Sequence, residues 1–167
     1  MAGRSLQGRA RGSSRSPGGL ALDFAQAVGI AARVYGATRD ASDGLFLAHA
    51  VDVAQALGPA ATPTAMNTAV LHGIPEDTPW TVEHLAESGV DAVVCDAVDL
   101  LTRRSGEAYM SYVRRVCDAP GAAGETARLV LVADLKVSVA RTDSDALRER
   151  YESSLPLVQR AVATAIS

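Results

Sequence analysis

Two histidines and one aspartate stand where residues of their kind are seldom found. His49 and His72 lie in the apolar strings FLAHAV and AVLHGI, and Asp134 interrupts VLVADLKV. A histidine in such a setting is usually a core residue with a satisfied ring, whereas a buried, unpaired carboxylate is costly unless a cation or hydrogen-bond donors meet it. A divalent metal held by two imidazoles and a carboxylate would satisfy all three side chains at once. A salt bridge from Asp134 to Arg103 or Arg104 is the structural alternative. Four residues beyond His72 come Glu76 and Asp77, in the string HGIPEDTP. Beside a metal such a pair could orient and deprotonate a water and later protonate a leaving group. It could equally be solvated, or stabilise the start of the next helix through its dipole. His84, with no apolar neighbours to bury it, reads as a surface residue.

The elements that must position these residues are helical in their apolar spacing, and no segment keeps a period of two. A first helix is expected over 20–35, with Phe24, Val28, Ala31 and Tyr35 on one face, stopped by RDASDG. A second is expected over 45–57, carrying His49 and ending at Gly58-Pro59, and a third over 63–72. IPEDTPWT reads as a loop, and Thr81 as the cap of a helix reaching Ser88 before Gly89. Val90, Val93, Val94, Ala97, Val98 and Leu101 form a broad apolar stripe, and another helix is expected over 107–118. ARLVLVADLKVSVA is apolar on nearly every side, so periodicity alone fits a strand or a helix there, and its length and neighbours favour helix. The last helix, over 143–166, should break before Pro156, because proline cannot donate within a helix. The expected fold class is all-α.

Composition sets the outer bounds. The chain has 167 residues, enough for one domain, and its core must rely on Ala, Val and Leu because only 4% of residues are aromatic. No apolar run approaches the roughly 18 residues of a membrane span and no signal peptide opens the chain, so a cytoplasmic location is expected. Residues 1–19 hold Arg4, Arg9, Arg11 and Arg15 with no acid. They read as a disordered tail preceding a domain over 20–167. Beyond the tail remain 12 basic against 19 acidic residues. That balance lacks the basic footprint of a nucleic-acid-binding domain. Cys95 and Cys117, 22 positions apart with no CxxC, read as small buried hydrophobes.

FLAHAVDVA, AVLHGIPEDTPWTVEHLAESGV, AVDLLTRRSGEAYMSYVRRV and LVADLKVS together resemble the HD-domain metal-dependent phosphohydrolases. Within them the chain is most similar to stand-alone hydrolases of the RelA/SpoT type, which act on (p)ppGpp. The resemblance runs from about residue 24 to residue 160 and implies a single HD-type helical domain. It places metal ligands at His49, His72 and Asp134 and the catalytic acids at Glu76 and Asp77. It implies Mn²⁺ as the cofactor, and a nucleotide or phosphorylated small molecule as the partner. Arg103, Arg104, Arg114 and Ser138 fall where such enzymes could contact substrate. Three departures accompany the match. Gly73 replaces the aspartate of the HD pair, Ser138 stands in place of an asparagine, and RDASDGLFLAH lacks most of the basic and aromatic residues that usually precede the first histidine. An impaired hydrolase and an inactive nucleotide- or protein-binding module are therefore both carried forward. Restoring the acid by Gly73→Asp is expected to raise activity.

Overall fold

The computed structural model describes residues 22–36 and 45–165, and all secondary structure of consequence there is helical. The chain runs through α1 (Phe24–Tyr35), α2 (Phe46–Ala56), α3 (Pro63–Leu71), α4 (Ile74–Asp77) and α5 (Val82–Glu87). It continues with α6 (Ala92–Leu101), α7 (Tyr109–Asp118), α8 (Gly121–Arg141) and α9 (Asp145–Ala165). The proposed tail over 1–19 and the RDASDG stop lie outside the described residues. Among those described, no helix is long and apolar enough to cross a membrane.

Local chemistry explains most boundaries. Asp23 starts α1 with a capping box, accepting from the Gln26 backbone N–H at 2.8 Å while Gln26 Oε1 accepts from its own at 2.9 Å. That cap places the start of α1 later than the expected residue 20. Thr62 caps α3, whose first residue is Pro63, a position where no N–H is needed. Thr81 caps α5 as expected, with His84 exposed and bonded back to the Thr81 backbone N–H at 3.0 Å. IPED, expected as loop, closes one helical turn instead. Gly73 O accepts from Asp77 N at 3.0 Å and Ile74 O from Thr78 N at 3.1 Å, so α4 follows α3 almost without a break.

The helix α8 runs through the middle of the fold, packing against α2, α3, α6, α7 and α9. That placement explains why ARLVLVADLKVSVA is apolar on so many sides. Val130, Leu131 and Leu135 are fully buried in it. One core cluster joins α8 to α2, α6, α7 and α9, and a second joins α1, α2, α3, α5 and α6. Gly124 lets the start of α8 press onto the end of α7, since a Cβ there would lie only 2.1 Å from Ala119 O. Buried Arg128 donates to the same oxygen at 2.6 Å and to Cys117 O at 3.2 Å, satisfying carbonyls that α7 leaves open.

Three expectations need correcting here. Val93 is 38% exposed, so the stripe on α6 is narrower than its spacing implied. Cys117 is half-buried, while Cys95 is buried as expected. No break occurs at Pro156, which lies inside a continuous α9. Proline removes the bond to the carbonyl of Glu152, but both residues are exposed, so water can serve that oxygen while packing on α8 holds the helix together.

Candidate functional site

The three residues singled out by type are brought to one place by three elements. His49 projects from α2 one residue before buried Ala50, His72 is the C-cap of α3, and Asp134 lies midway along α8. His49 Nε2 is 2.9 Å from Asp134 Oδ1 and His72 Nε2 is 3.8 Å from the same oxygen. The two rings stand 5.8 Å apart between centroids, tilted by 56°. One ligand-capable atom from each residue lies within 4.8 Å of the other two.

The surrounding hydrogen bonds prepare this cluster. His72 Nδ1 lies 2.7 Å from Ala69 O, one turn back on its own helix. That carbonyl can only accept, so Nδ1 carries a proton and Nε2 is the nitrogen turned toward Asp134. Ser138, one turn along α8, donates its hydroxyl to Asp134 Oδ1 at 3.2 Å. Burial pushes the Asp134 carboxyl up. The hydrogen bond from His49, the charges of His72 and His49, and the bond from Ser138 outweigh it and hold the group below its ordinary range. The anion is thus the preferred form, which is what a cation ligand requires. The donor set of two imidazole nitrogens and a carboxylate oxygen fits a divalent ion. The salt-bridge alternative fails, because the ion-pair partners of Asp134 are the two histidines and neither Arg103 nor Arg104.

A cleft of about 530 Å³ opens over the cluster, and its wall includes Gly73, Glu76 and Asp77. Glu76 is steered by the turn after α6, where its Oε1 accepts from the Arg103 backbone N–H. Ser138 lines the cleft as well. The arginines expected at substrate do not reach this wall. Arg104 is half-exposed and forks onto Asp99 at 2.9 and 2.5 Å, and Arg103 and Arg114 are exposed. The string LTRRSGEAYMSYVRR serves a different residue, Arg115, which binds both Glu107 oxygens at 2.8 Å and the carbonyls of Leu100 and Thr102 at 2.9 and 3.1 Å. That is a clamp joining the end of α6 to α7.

Sequence reasoning missed the far wall, which comes from the α8 to α9 junction and includes Arg141, Asp143 and Tyr151. No motif marks them, since only the packing of α9 on α8 brings them there. It also read Tyr35 merely as part of an inward helix face. Tyr35 is 2% exposed, stacks on Phe46 with centroids 5.7 Å apart, and borders the cleft. Burial first, then the negative charges of Asp77, Asp134 and Glu76, push its phenol far above the ordinary value, so the hydroxyl stays a donor.

No family profile matches the chain, and no curated protein does either. Among solved structures, the chain is similar to a metazoan ortholog of SpoT, described as hydrolysing ppGpp and playing a role in starvation responses. The TM-score is 0.66 at 18% identity, over 83% of this chain and 84% of that one. A likeness at that identity concerns the fold, which is the helical fold of HD domains.

Proposed function

We propose that this protein is a metal-dependent phosphohydrolase of the HD type acting on a phosphorylated nucleotide, with a (p)ppGpp-like polyphosphate as the specific substrate class and Mn²⁺ as the metal. The observation that carries the reading is the convergence of His49, His72 and Asp134 on one point in a cleft. Charge supports it too. Among the described residues the cleft wall carries Glu76, Asp77, Asp134 and Asp143 against Arg141 alone, an arrangement that would repel a polyphosphate unless cations accompany it. The fold shared with a protein that hydrolyses ppGpp is consistent with both points.

His49, His72 and Asp134 would hold the ion. A divalent ion in such a set neutralises phosphate charge and makes water acidic enough to attack near neutral pH. Glu76 has the better placement for proton transfer. The Arg103 N–H fixes one of its oxygens and leaves the other to take a proton from water and return it to the leaving phosphate oxygen. Arg141, whose Nη1 bonds Asp52 at 2.9 Å, is the described cation from which a substrate phosphate could accept.

The test is release of phosphate or pyrophosphate from ppGpp and from other nucleotide polyphosphates with added Mn²⁺. Turnover that disappears in Asp134→Ala is expected. A protein that binds Mn²⁺ yet releases nothing from any of them would overturn the assignment. Gly73, which offers no ligand atom, favours a second reading, a module that binds a nucleotide without turning it over. That reading predicts a metal-independent rise in melting temperature with nucleotide and no release.

A further inference from the structure

Gly73 has ordinary right-handed helical geometry, with φ of −85° and ψ of −9°, so nothing in the backbone requires glycine. Space does. A Cβ at residue 73 would lie 2.8 Å from Asp77 Oδ2 and 2.8 Å from the Tyr35 hydroxyl oxygen. Real Cβ atoms do not approach oxygen so closely, so any side chain at this position must displace one group or both. Tyr35 is hard to move, being buried and stacked on Phe46. Asp77 is brought there by the single turn of α4, which folds its carboxylate back over the residue that begins the turn. The volume just beyond His72, where a side chain at 73 would start, is therefore already bounded by a carboxylate oxygen and a phenol hydroxyl at equal distance.

We infer that Asp77, which borders the same cleft but lies outside the 4.8 Å cluster of His49, His72 and Asp134, turns in on cation binding to supply the carboxylate that Gly73 lacks, with Gly73 as the spacer that admits it. This rests on the metal-dependent reading above and changes the roles within it. Asp77 leaves proton transfer to Glu76, and the glycine becomes half of a paired exchange in place of a lesion. Tyr35 is a positioning residue, its protonated hydroxyl facing the region where the Asp77 oxygen sits.

Calorimetric titration of the metal-free full chain with Mn²⁺ alone tests the assignment in four proteins. Wild type should bind. Asp77→Asn, nearly isosteric at an exposed position, should fold normally and bind about 10- to 100-fold more weakly. Gly73→Asp alone should bind no better than wild type, because the new side chain collides with Asp77 and Tyr35. Gly73→Asp combined with Asp77→Ala and Tyr35→Phe, which together clear both oxygens from the space beside residue 73, should recover most of the lost affinity by moving the acid to the other end of the turn. Unchanged affinity in Asp77→Asn, or tighter binding in Gly73→Asp alone, would overturn the inference and leave the metal-dependent reading standing. Failure of wild type to bind Mn²⁺ would overturn both. Metal-free melting curves of all four proteins separate lost ligation from lost folding.

Discussion

His49 and Asp134 meet at 2.9 Å although 85 positions separate them, and that contact ties α2 to α8 at the floor of the cleft. Because both side chains also belong to the candidate metal set, ligand binding and fold stability are coupled through them. Mn²⁺ at about one hundred times its dissociation constant should stabilise the protein by about 2.7 kcal/mol. Asp134→Ala should abolish that gain. Melting curves with and without Mn²⁺ provide the check, and an equal rise in wild type and variant would place the ion elsewhere.

The Arg115 clamp makes stability depend on acid. The hydrogen bond from Arg115, with that from the Arg104 backbone, holds the Glu107 carboxyl at about 2, below the ordinary 4.5. A carboxyl depressed in the folded state contributes stability that is fully present above its unfolded value and is lost as pH falls toward the folded one. Wild type should therefore be more stable than Glu107→Gln at neutral pH. The difference should shrink below about pH 4.5 and close near pH 2. Urea midpoints of the two proteins across this range measure it. A difference that stays constant through the acid range would mean the clamp acts by shape alone.

The arginines divide by position. Arg104→Ala and Arg114→Ala remove exposed side chains outside the cleft and should leave the affinity for ppGpp with Mn²⁺ within about twofold. Arg141→Ala removes the described cation of the cleft wall and should weaken the same affinity about tenfold, or about 1.4 kcal/mol. Equilibrium binding to the three variants decides the matter. A large loss in Arg104→Ala with none in Arg141→Ala would reverse the placement of the phosphates.

Gly124→Ala tests the α7 to α8 packing. The new methyl would face the Ala119 carbonyl oxygen at 2.1 Å, a backbone atom that cannot rotate away. Destabilisation of about 1–3 kcal/mol is expected from overpacking, despite the higher helix propensity of alanine. Denaturant unfolding measures this, and a stabilised variant would show that the two helices separate freely.

Helix existence was legible wherever apolar spacing was strong, as at Val94, Ala97 and Val98, all buried in α6. Boundaries were less so. Asp23 and Gln26 cap α1 through side chains whose reciprocal bonds no apolar pattern records, and the turn of α4 forms despite Pro75 because proline is tolerated in a first turn. The cluster of His49, His72 and Asp134 was legible because polar groups in apolar strings need partners, and each proved to be the others' partner. The place of the arginines was not legible, for the opposite reason. An exposed helix cation carries no mark of its neighbour, and Asp99 pairs with Arg104 away from the cleft.

Residue types and spacing by themselves determined an all-helical chain and the polar residues its core could not leave alone, while the expectation of an acid at position 73 came only from the family resemblance. The first two follow from local rules, the 3.6-residue period and the cost of burying charge, which act within one helix or one side chain. Only the tertiary structure decided which helix faces enclose the cleft, that Arg141 and Tyr151 belong to its wall, and that Asp77 and Tyr35 converge on the space beside Gly73. Those facts depend on distances between residues far apart in the chain. A sequence records that a side chain is absent, and packing determines what fills its place.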